Sequence, residues 1–528
     1  MSLGLRAVAA ATFAVVLLAG PVSSPASATT FCVPDFTAAC PDNGTNVPKA
    51  DLQTAVNTSA SDGNPDRVLV GPMAFTDPDV FAADGSDSLQ IIGSGPDATR
   101  ITTANTTGFY TVDFTGTNQV TMRNLTVEIP AAQPNGGGGG IAMRGDVIEN
   151  VDIESRNPGA VGISAQGGGA FRDGRILAVP GGNFSYGANT LAGESGLFTI
   201  TGSLIRNASK AVYSEFPEVP ISIRNSFLFP IGYGLLSASG SNMTLDNVVI
   251  DAGDDAALRV VNGSGAAPSI SVRHSTIVNH GDQSKAAIDL EAFNNLNFTS
   301  SVDVVVTDSI IRGFDNPFSR IAPTSGAGRN ANLTIRGSNF SPVGVSTGNG
   351  VLDIGNPDNI NADPLFTGTF DYRLLEGSPS IDTGGTGPAL DSDLNGAQRA
   401  LDGNGDGVAV ADQGAFEFVP AALPPPDTTG PRISRVKFRA PRKGARILEF
   451  SINEAGRVRA IFRPVPRRSH GRKRKTLKLS ESFSSPGFTK FIIPRNQLKK
   501  GKYRLVVSAV DKSGNRSSKP GRVVRVKK

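Results

Sequence analysis

The 528-residue chain has no tryptophan, three histidines, two cysteines and six tyrosines. So few histidines and cysteines exclude a Cys/His zinc cluster and a disulfide-dense scaffold. The lack of tryptophan and the scarcity of tyrosine argue against an aromatic-rich sugar cleft. No apolar run beyond the first twenty residues approaches the length of a membrane span. Acidic residues are scarce in one region only. Residues 421–528 hold 30 Lys and Arg against 5 Asp and Glu, whereas residues 1–420 hold 21 against 42, so the formal charge of +4 conceals two chemically different bodies. Glycine and proline are abundant at 61 and 35 residues, above their usual combined share of about 12%, which favours turns over long helices.

The first residues form a targeting pattern: Arg6, an apolar stretch over 7–20, and Ala26-Ser27-Ala28. A basic start, a short apolar run and an A-x-A site predict a secretory signal peptide over 1–28 and an extracellular mature protein. Cys32 and Cys40 follow closely. In an oxidising compartment they are expected to form one small disulfide.

The middle of the chain is repetitive. A phrase of apolar, any, apolar, any, then Asn, Asp, Gly or His, often followed by Ser and an apolar residue, recurs at 22- to 34-residue intervals. Its anchors are Asn124, Asn150, Gly174, Gly202, Asn225, Asn247, His274, Asp308 and Gly337. Period-2 alternation inside each phrase predicts a strand with one buried face, and the fixed phrase at this spacing predicts a solenoid of one coil per repeat. Ile223, Leu245, Val272, Val306 and Ile335, the second apolar member of each phrase, should stack into one inward row. A second strand is expected nine residues after each anchor, opening at Ala211, Gly234 and Ala256.

These phrases, the entry segment ADLQTAVNTSASDGNPDRVLVGP (50–72), and the later DYRL, SPSIDTG and QGAFEF resemble the right-handed parallel β-helix, pectin-lyase-like superfamily. The resemblance covers about residues 30–419, and identifies a fold more firmly than a reaction. The fold class is therefore expected to be all-β, a parallel β-helix over 29–419 with an N-terminal cap and a terminal cassette. A Pro/Thr linker (420–431) and a basic antiparallel β-sandwich (432–528) should follow. GKYRLVVSAVDKSGN (501–515) resembles the late strands of bacterial Ig-like and fibronectin-III-like modules, which implies that Tyr503 is their corner tyrosine.

Three constellations could carry chemistry. IDAGDDAAL (250–258) resembles the paired-aspartate segment of polygalacturonase-type glycosidases, which implies that Asp254 and Asp255 act as general acid and base, with His280 in a matching histidine turn. IGYGLL (231–236), one coil earlier, lacks the aspartate that family supplies, and no Arg-x-Lys element follows. Aligning AALRV with AAIDL also gives a structural alternative, cross-coil pairs Asp255–Lys285 and Arg259–Asp289. Asp402, Asn404 and Asp406, alternating with glycine and followed by Asp412, could begin a calcium loop or form an ordinary Asn/Asp/Gly turn. Asp382, Asp391, Asp393, Arg399 and Glu417 are read as a charge cluster that ties down a long loop.

Two functions compete. One is a non-enzymatic envelope protein, a rod whose basic domain meets an anionic surface. The other is a polysaccharide hydrolase or lyase. The basic run Arg467, Arg468, Arg472, Lys473, Arg474 and Lys475 is expected to bind an anionic polysaccharide or cell-wall polymer, with peripheral membrane contact also open. Secretion argues against nucleic acid, and a monomer is expected.

Overall fold

The computed structural model describes residues 28–527 apart from 60–64, 78–80, 83–87, 105–107, 117–118, 132–137, 239–240, 263–265, 294–300, 326–327, 386–389, 421–428, 442–443, 466–473 and 512–513. The expected signal peptide (1–28), apart from Ala28, and most of the expected linker lie outside the described residues. The chain divides into two compact units, 1–420 and 421–528. Among the described residues no helix is long and apolar enough to cross a membrane.

The first unit is a parallel β-solenoid built of two long ladders, one of 20 strands and one of 11. Each phrase of the repeat contributes to the first ladder. The inward residues lie in register from coil to coil: Ile223 pairs with Leu245, Leu245 with Val272, Val272 with Val306 and Val306 with Ile335. All five are fully buried. The row runs back through Ile200, Phe171, Ile148 and Met122, so every coil buries an apolar side chain on the one below. The ladder also starts earlier than the entry segment, because Thr30–Val33 pairs in parallel with Asp66–Val70. The intervening helix Leu52–Ser59 is N-capped by Asp51, whose Oδ1 accepts from the Thr54 amide at 2.7 Å. It buries Leu52, Ala55 and Val56 in the solenoid core.

The anchors are where the strand turns a corner. Asn124, Asn150, Asn225, Asn247, His274 and Asp308 all have φ between 43° and 59°, in the left-handed region that asparagine tolerates best among residues with a Cβ. A strand interrupted this way cannot continue its ladder bonds, and the serine after the anchor repairs the gap. Ser275 Oγ accepts the amide of Val248 one coil below, Ser309 Oγ the amide of Ser275, and Ser338 Oγ the amide of Ser309, all at 3.1 Å. Each hydroxyl donates to the carbonyl two residues before it. Asparagine anchors also stack: Asn247 Nδ2 donates to Asn225 Oδ1 at 3.0 Å. One anchor differs from the sequence reading. In FRDGRIL the left-handed residue is Asp173 (φ 52°), not Gly174. Gly174 occupies the serine position, where a Cβ would come within 2.5 Å of the Phe171 ring.

The second strand of each coil forms the 11-stranded ladder, with Val212, Leu235, Leu258 and Ile288 in register and buried. Ala211 and Gly234 align as expected, but the next partner is Ala257, one residue beyond Ala256. The terminal cassette contributes a hairpin, Phe366–Gly368 with Asp371–Leu374. It covers the corner: Tyr372, Ala415 and Phe416 pack on Val249 and Val278.

The second unit is a small antiparallel β-sandwich. A three-stranded sheet joins Arg446–Ile452 to Ile433–Arg439 and Gly487–Ile493, and a four-stranded sheet runs Leu477–Phe483, Gly456–Pro464, Gly501–Val510, Arg516–Val526. One apolar core, including Phe450, Phe462, Tyr503 and Leu505, is shared by both sheets. Tyr503 donates its hydroxyl to the Lys499 carbonyl four residues upstream at 2.8 Å.

Candidate functional site

The acidic turn after Met243–Ala252 sits between the two ladders. The Asp254 amide donates to the Ile231 carbonyl at 2.7 Å, which pins the turn to the coil below. The two aspartates then diverge. A Cβ on Gly281 would lie 3.5 Å from Asp254 Oδ1, and one on Gly232 would lie 3.2 Å from Asp255 Oδ2. Asp254 therefore lies against the following coil and Asp255 against the preceding one. No ion pair joins Asp255 to Lys285 among the described residues, whereas Arg259 does pair with Asp289 and, at 2.8 Å, with Glu291.

Gly281, which approaches Asp254, follows His280, and the partner of His280 is a residue the repeat pattern did not single out. Its Nδ1 lies 3.1 Å from Oδ1 of Asp251, which is almost fully buried. Tyr372, 121 positions further along, donates its hydroxyl to Asp251 Oδ2 at 2.7 Å. Burial, then the Asp251 carboxylate, push the Tyr372 phenol far above its ordinary range, so this hydroxyl remains a donor. The exposed Phe370 ring, at the tip of the same hairpin, lies 5.0 Å from the imidazole. Asp251 and Tyr372 thus fix the ring of a partly exposed histidine. Such a dyad can hold one tautomer and exchange a proton at Nε2.

The outer side of the 11-stranded ladder begins at this turn. Along it run Asn189, Tyr213, Leu236, Arg259 and Asp289 in register. Tyr186 stacks on Tyr213 with ring centroids 4.9 Å apart, and Lys210 Nζ lies 4.9 Å from the Tyr186 centroid. Tyr110 donates to Ser164 at 2.9 Å, and Tyr213 to Glu215 at 2.8 Å. Tyr233, adjoining Asp255, has its phenol raised first by burial and then by that carboxylate. Four of the chain's six tyrosines therefore line one ladder, each partly exposed. Composition reveals their scarcity but not their placement.

The cassette cluster lies at the corner. Arg399 and Glu417 are buried and paired at 3.2 Å. Arg399 also donates to Asn247 Oδ1 at 2.8 Å, to Asp412 O and to Gly414 O. Asp393 accepts from the Glu417 amide, and Asp382 from the amides of Gly403 and Asn404. The cluster ties the cassette to the anchor row. His274, held by Asp412 O at 3.2 Å, is depressed to about 4, mainly by burial and then by Arg399.

In the glycine-rich loop, Asp402 accepts from the amides of Gly405 and Gly407, Asn404 from Asp406, and Asp406 from Val408. These are the bonds of an Asn/Asp turn. Asp412 does not join them. It is buried, its carboxylate accepts from the amides of Asp382 and Phe418, and burial followed by Glu417 raises it to about 7. Among the described residues no group of three His, Cys, Asp or Glu is placed to hold a metal ion. Cys32 and Cys40 are disulfide-bonded. Arg467, Arg468, Arg472 and Lys473 lie outside the described residues. Arg474 sits over the Tyr503 ring at 5.5 Å, and Lys475 is exposed.

No family model matches the chain, and no curated protein matches its sequence. Among solved structures the chain is similar to the catalytic unit of the GH87 α-1,3-glucanase of Streptomyces thermodiastaticus, at 13% identity and a TM-score of 0.40 over 64% of this chain and 70% of that one. It is also similar to the tailspike protein 2 enzymatically active domain of bacteriophage CBA120 (11% identity, TM-score 0.23, 89% of this chain and 73% of that one). The tailspike protein of Acinetobacter phage vB_ApiP_P1 is similar at 11% identity and a TM-score of 0.27, over 90% of this chain and 84% of that one. At these scores the likeness carries no argument about substrate or site.

Proposed function

We propose that the protein is a secreted, non-enzymatic β-helix protein of the cell envelope that binds or presents polysaccharide, with its basic sandwich meeting an anionic polymer. The observation that carries this reading is the gathering of Tyr110, Tyr186, Tyr213 and Tyr233 on one ladder, interleaved with Lys210, Arg259, Asp289 and Glu291. A ring face suits the apolar face of a pyranose, and the charged and hydroxyl groups between the rings suit its hydroxyls. A rigid solenoid repeats this surface from coil to coil, as an extended polymer requires. Glycan-array binding of the mature protein tests it. Tyr186→Ala with Tyr213→Ala should weaken the strongest glycan signal about tenfold, the equivalent of one lost contact of roughly 1.4 kcal/mol. Unchanged binding in that variant would remove the tyrosine face from the account.

The alternative is a polysaccharide hydrolase or lyase. It is favoured by one arrangement, the His280–Asp251–Tyr372 relay, whose histidine precedes the Gly281 that approaches Asp254. Incubation with homogalacturonan and other acidic glycans decides between the two. Release of reducing ends or unsaturated products that disappears in Asp254→Ala and Asp255→Ala would establish the enzyme.

A further inference from the structure

The two sheets of the sandwich handle their positive charge differently. On the outer side of the three-stranded sheet Glu449 is opposite both Lys437 and Lys490 and pairs with Arg439 at 3.2 Å. Its cations are interleaved with an acid. On the four-stranded sheet the inward residues Val458, Ala460 and Phe462 are buried, and the alternating outward residues Arg457, Arg459 and Arg463 are exposed. Arg463 directly faces Arg504 across the strand pair, and Lys502 faces Arg525. Lys478 lies opposite Ile461 on the edge strand. Like charges placed directly opposite one another are destabilising. Among the described residues none of these cations has an ion-pair partner.

The neutral positions narrow the partner. Between the cations lie Ile461, Val506 and the exposed Val523, with Ser480, Ser482 and Ser508 at the flanks. No aromatic ring projects from this side of the paired strands, so it lacks the stacking platform on which single-stranded nucleic acid binds. Apolar spots among guanidinium groups suit a polymer that has both carboxylates and ring faces. Residues two apart on a strand repeat every 7 Å or so, and strands lie about 4.8 Å apart, a spacing that lets neighbouring sugars each meet a cation.

We propose that the outer face of the four-stranded sheet, centred on Arg459, Arg463 and Arg504, is a binding site for a uronic-acid-bearing polysaccharide. This rests on the reading that the basic unit meets an anionic polymer, and it moves the contact from the 467–475 run to a sheet face. The full-length mature protein is tested for binding to polygalacturonate by sedimentation and titration at low and physiological salt, with dextran and single-stranded DNA as controls. The triple variant Arg459→Ser, Arg463→Ser, Arg504→Ser should bind polygalacturonate at least about tenfold more weakly, with a flatter salt dependence. A variant of the run, Arg467→Gln, Arg468→Gln, Arg472→Gln, Lys473→Gln, should lose less. All substituted sheet residues are exposed, and unchanged thermal unfolding certifies the fold. If the wild type binds but only the run variant is weakened, the face is wrong and the anionic reading stands. If the wild type does not bind polygalacturonate at low salt, both fall. Tighter binding to DNA than to polygalacturonate overturns the choice of partner.

Discussion

On the solenoid Asp246 lies between Arg224 and Arg273, paired with each at 3.0 and 2.7 Å, and Arg100 bridges Glu128 and Glu154 across three coils. In the sandwich Arg463 faces Arg504 with no acid between them. Parallel stacking explains the first arrangement. Each outward position has a neighbour about 4.8 Å above and below, so like charges repel from coil to coil; alternation relieves this at Asp246, and a cation shared by the facing Glu128 and Glu154 relieves it at Arg100. The sandwich has only three strands on one face and four on the other, and the four-stranded face can carry an unbalanced charge if a ligand supplies the balance. Charge is therefore part of the architecture in the first unit and is left available to a partner in the second.

The largest expected effect is at the buried pair. Arg399→Ala leaves Glu417 without its cation and Asn247 without its donor, and should cost the solenoid about 3–5 kcal/mol. Urea unfolding of the full chain should show this loss in one transition and leave the sandwich transition in place. An equal shift of both would mean that the units do not unfold separately. Next comes Leu245→Ala in the inward row, a cavity between Ile223 and Val272. It should cost about 3 kcal/mol by the same measurement.

That row was readable from the sequence because inward alternation is a local property and every coil repeats it. The corner was nearly so. Glycine in FRDGRIL is the natural choice for a left-handed residue, yet Asp173 takes that conformation and Gly174 makes room for the Phe171 ring. Asp251, Tyr372 and the tyrosine face were not legible. Tyr372 reaches Asp251 across 121 positions, and the tyrosines gather only through a register set by loops of unequal length. The repeat phrase shows that a serine follows the anchor, but only the stacked coils show that its hydroxyl caps the amide below.

Removing one rung of that serine column tests the solenoid on a smaller scale. Ser275→Ala orphans the buried Val248 amide and should cost about 1–3 kcal/mol in urea unfolding. No loss would mean that water or a shifted carbonyl serves the corner. The pH dependence follows from the same region. A histidine in the unfolded chain titrates near 6.5, but buried His274, with Arg399, Arg273 and Asp308 around it, titrates at about 4. The folded state therefore binds fewer protons in that window, and its stability is lost as pH falls from 6.5 towards 4. Asp412 works in the opposite sense. Raised from 3.8 to about 7, it stabilises fully below the lower value and loses this contribution as pH rises to the upper one. His274→Asn keeps a residue that accepts the left-handed corner and removes only the first effect. Between pH 6.5 and 4 its melting temperature should fall less than the wild type's. Parallel profiles would mean that His274 does not titrate in that window.

The smallest effect belongs to the sandwich and has the opposite sign. Arg463→Ser removes one member of a facing pair of cations while Phe462 and Tyr503 stay packed beneath the sheet. At low salt the unit should gain about 0.2–1 kcal/mol, since a directly opposed like-charge pair is relieved and nothing buried changes. Above roughly 1 M salt, where the screening length shrinks to about 3 Å, the gain should vanish. The matching experiment on the solenoid is Arg259→Ser, which breaks the Asp289 and Glu291 pairs and should lose a similar small amount at low salt. If both substitutions destabilise, the four-stranded face is balanced by some internal contact and its cations are not held for a ligand. Opposite signs that converge as salt rises are what a self-neutralised rod and an unneutralised binding face require.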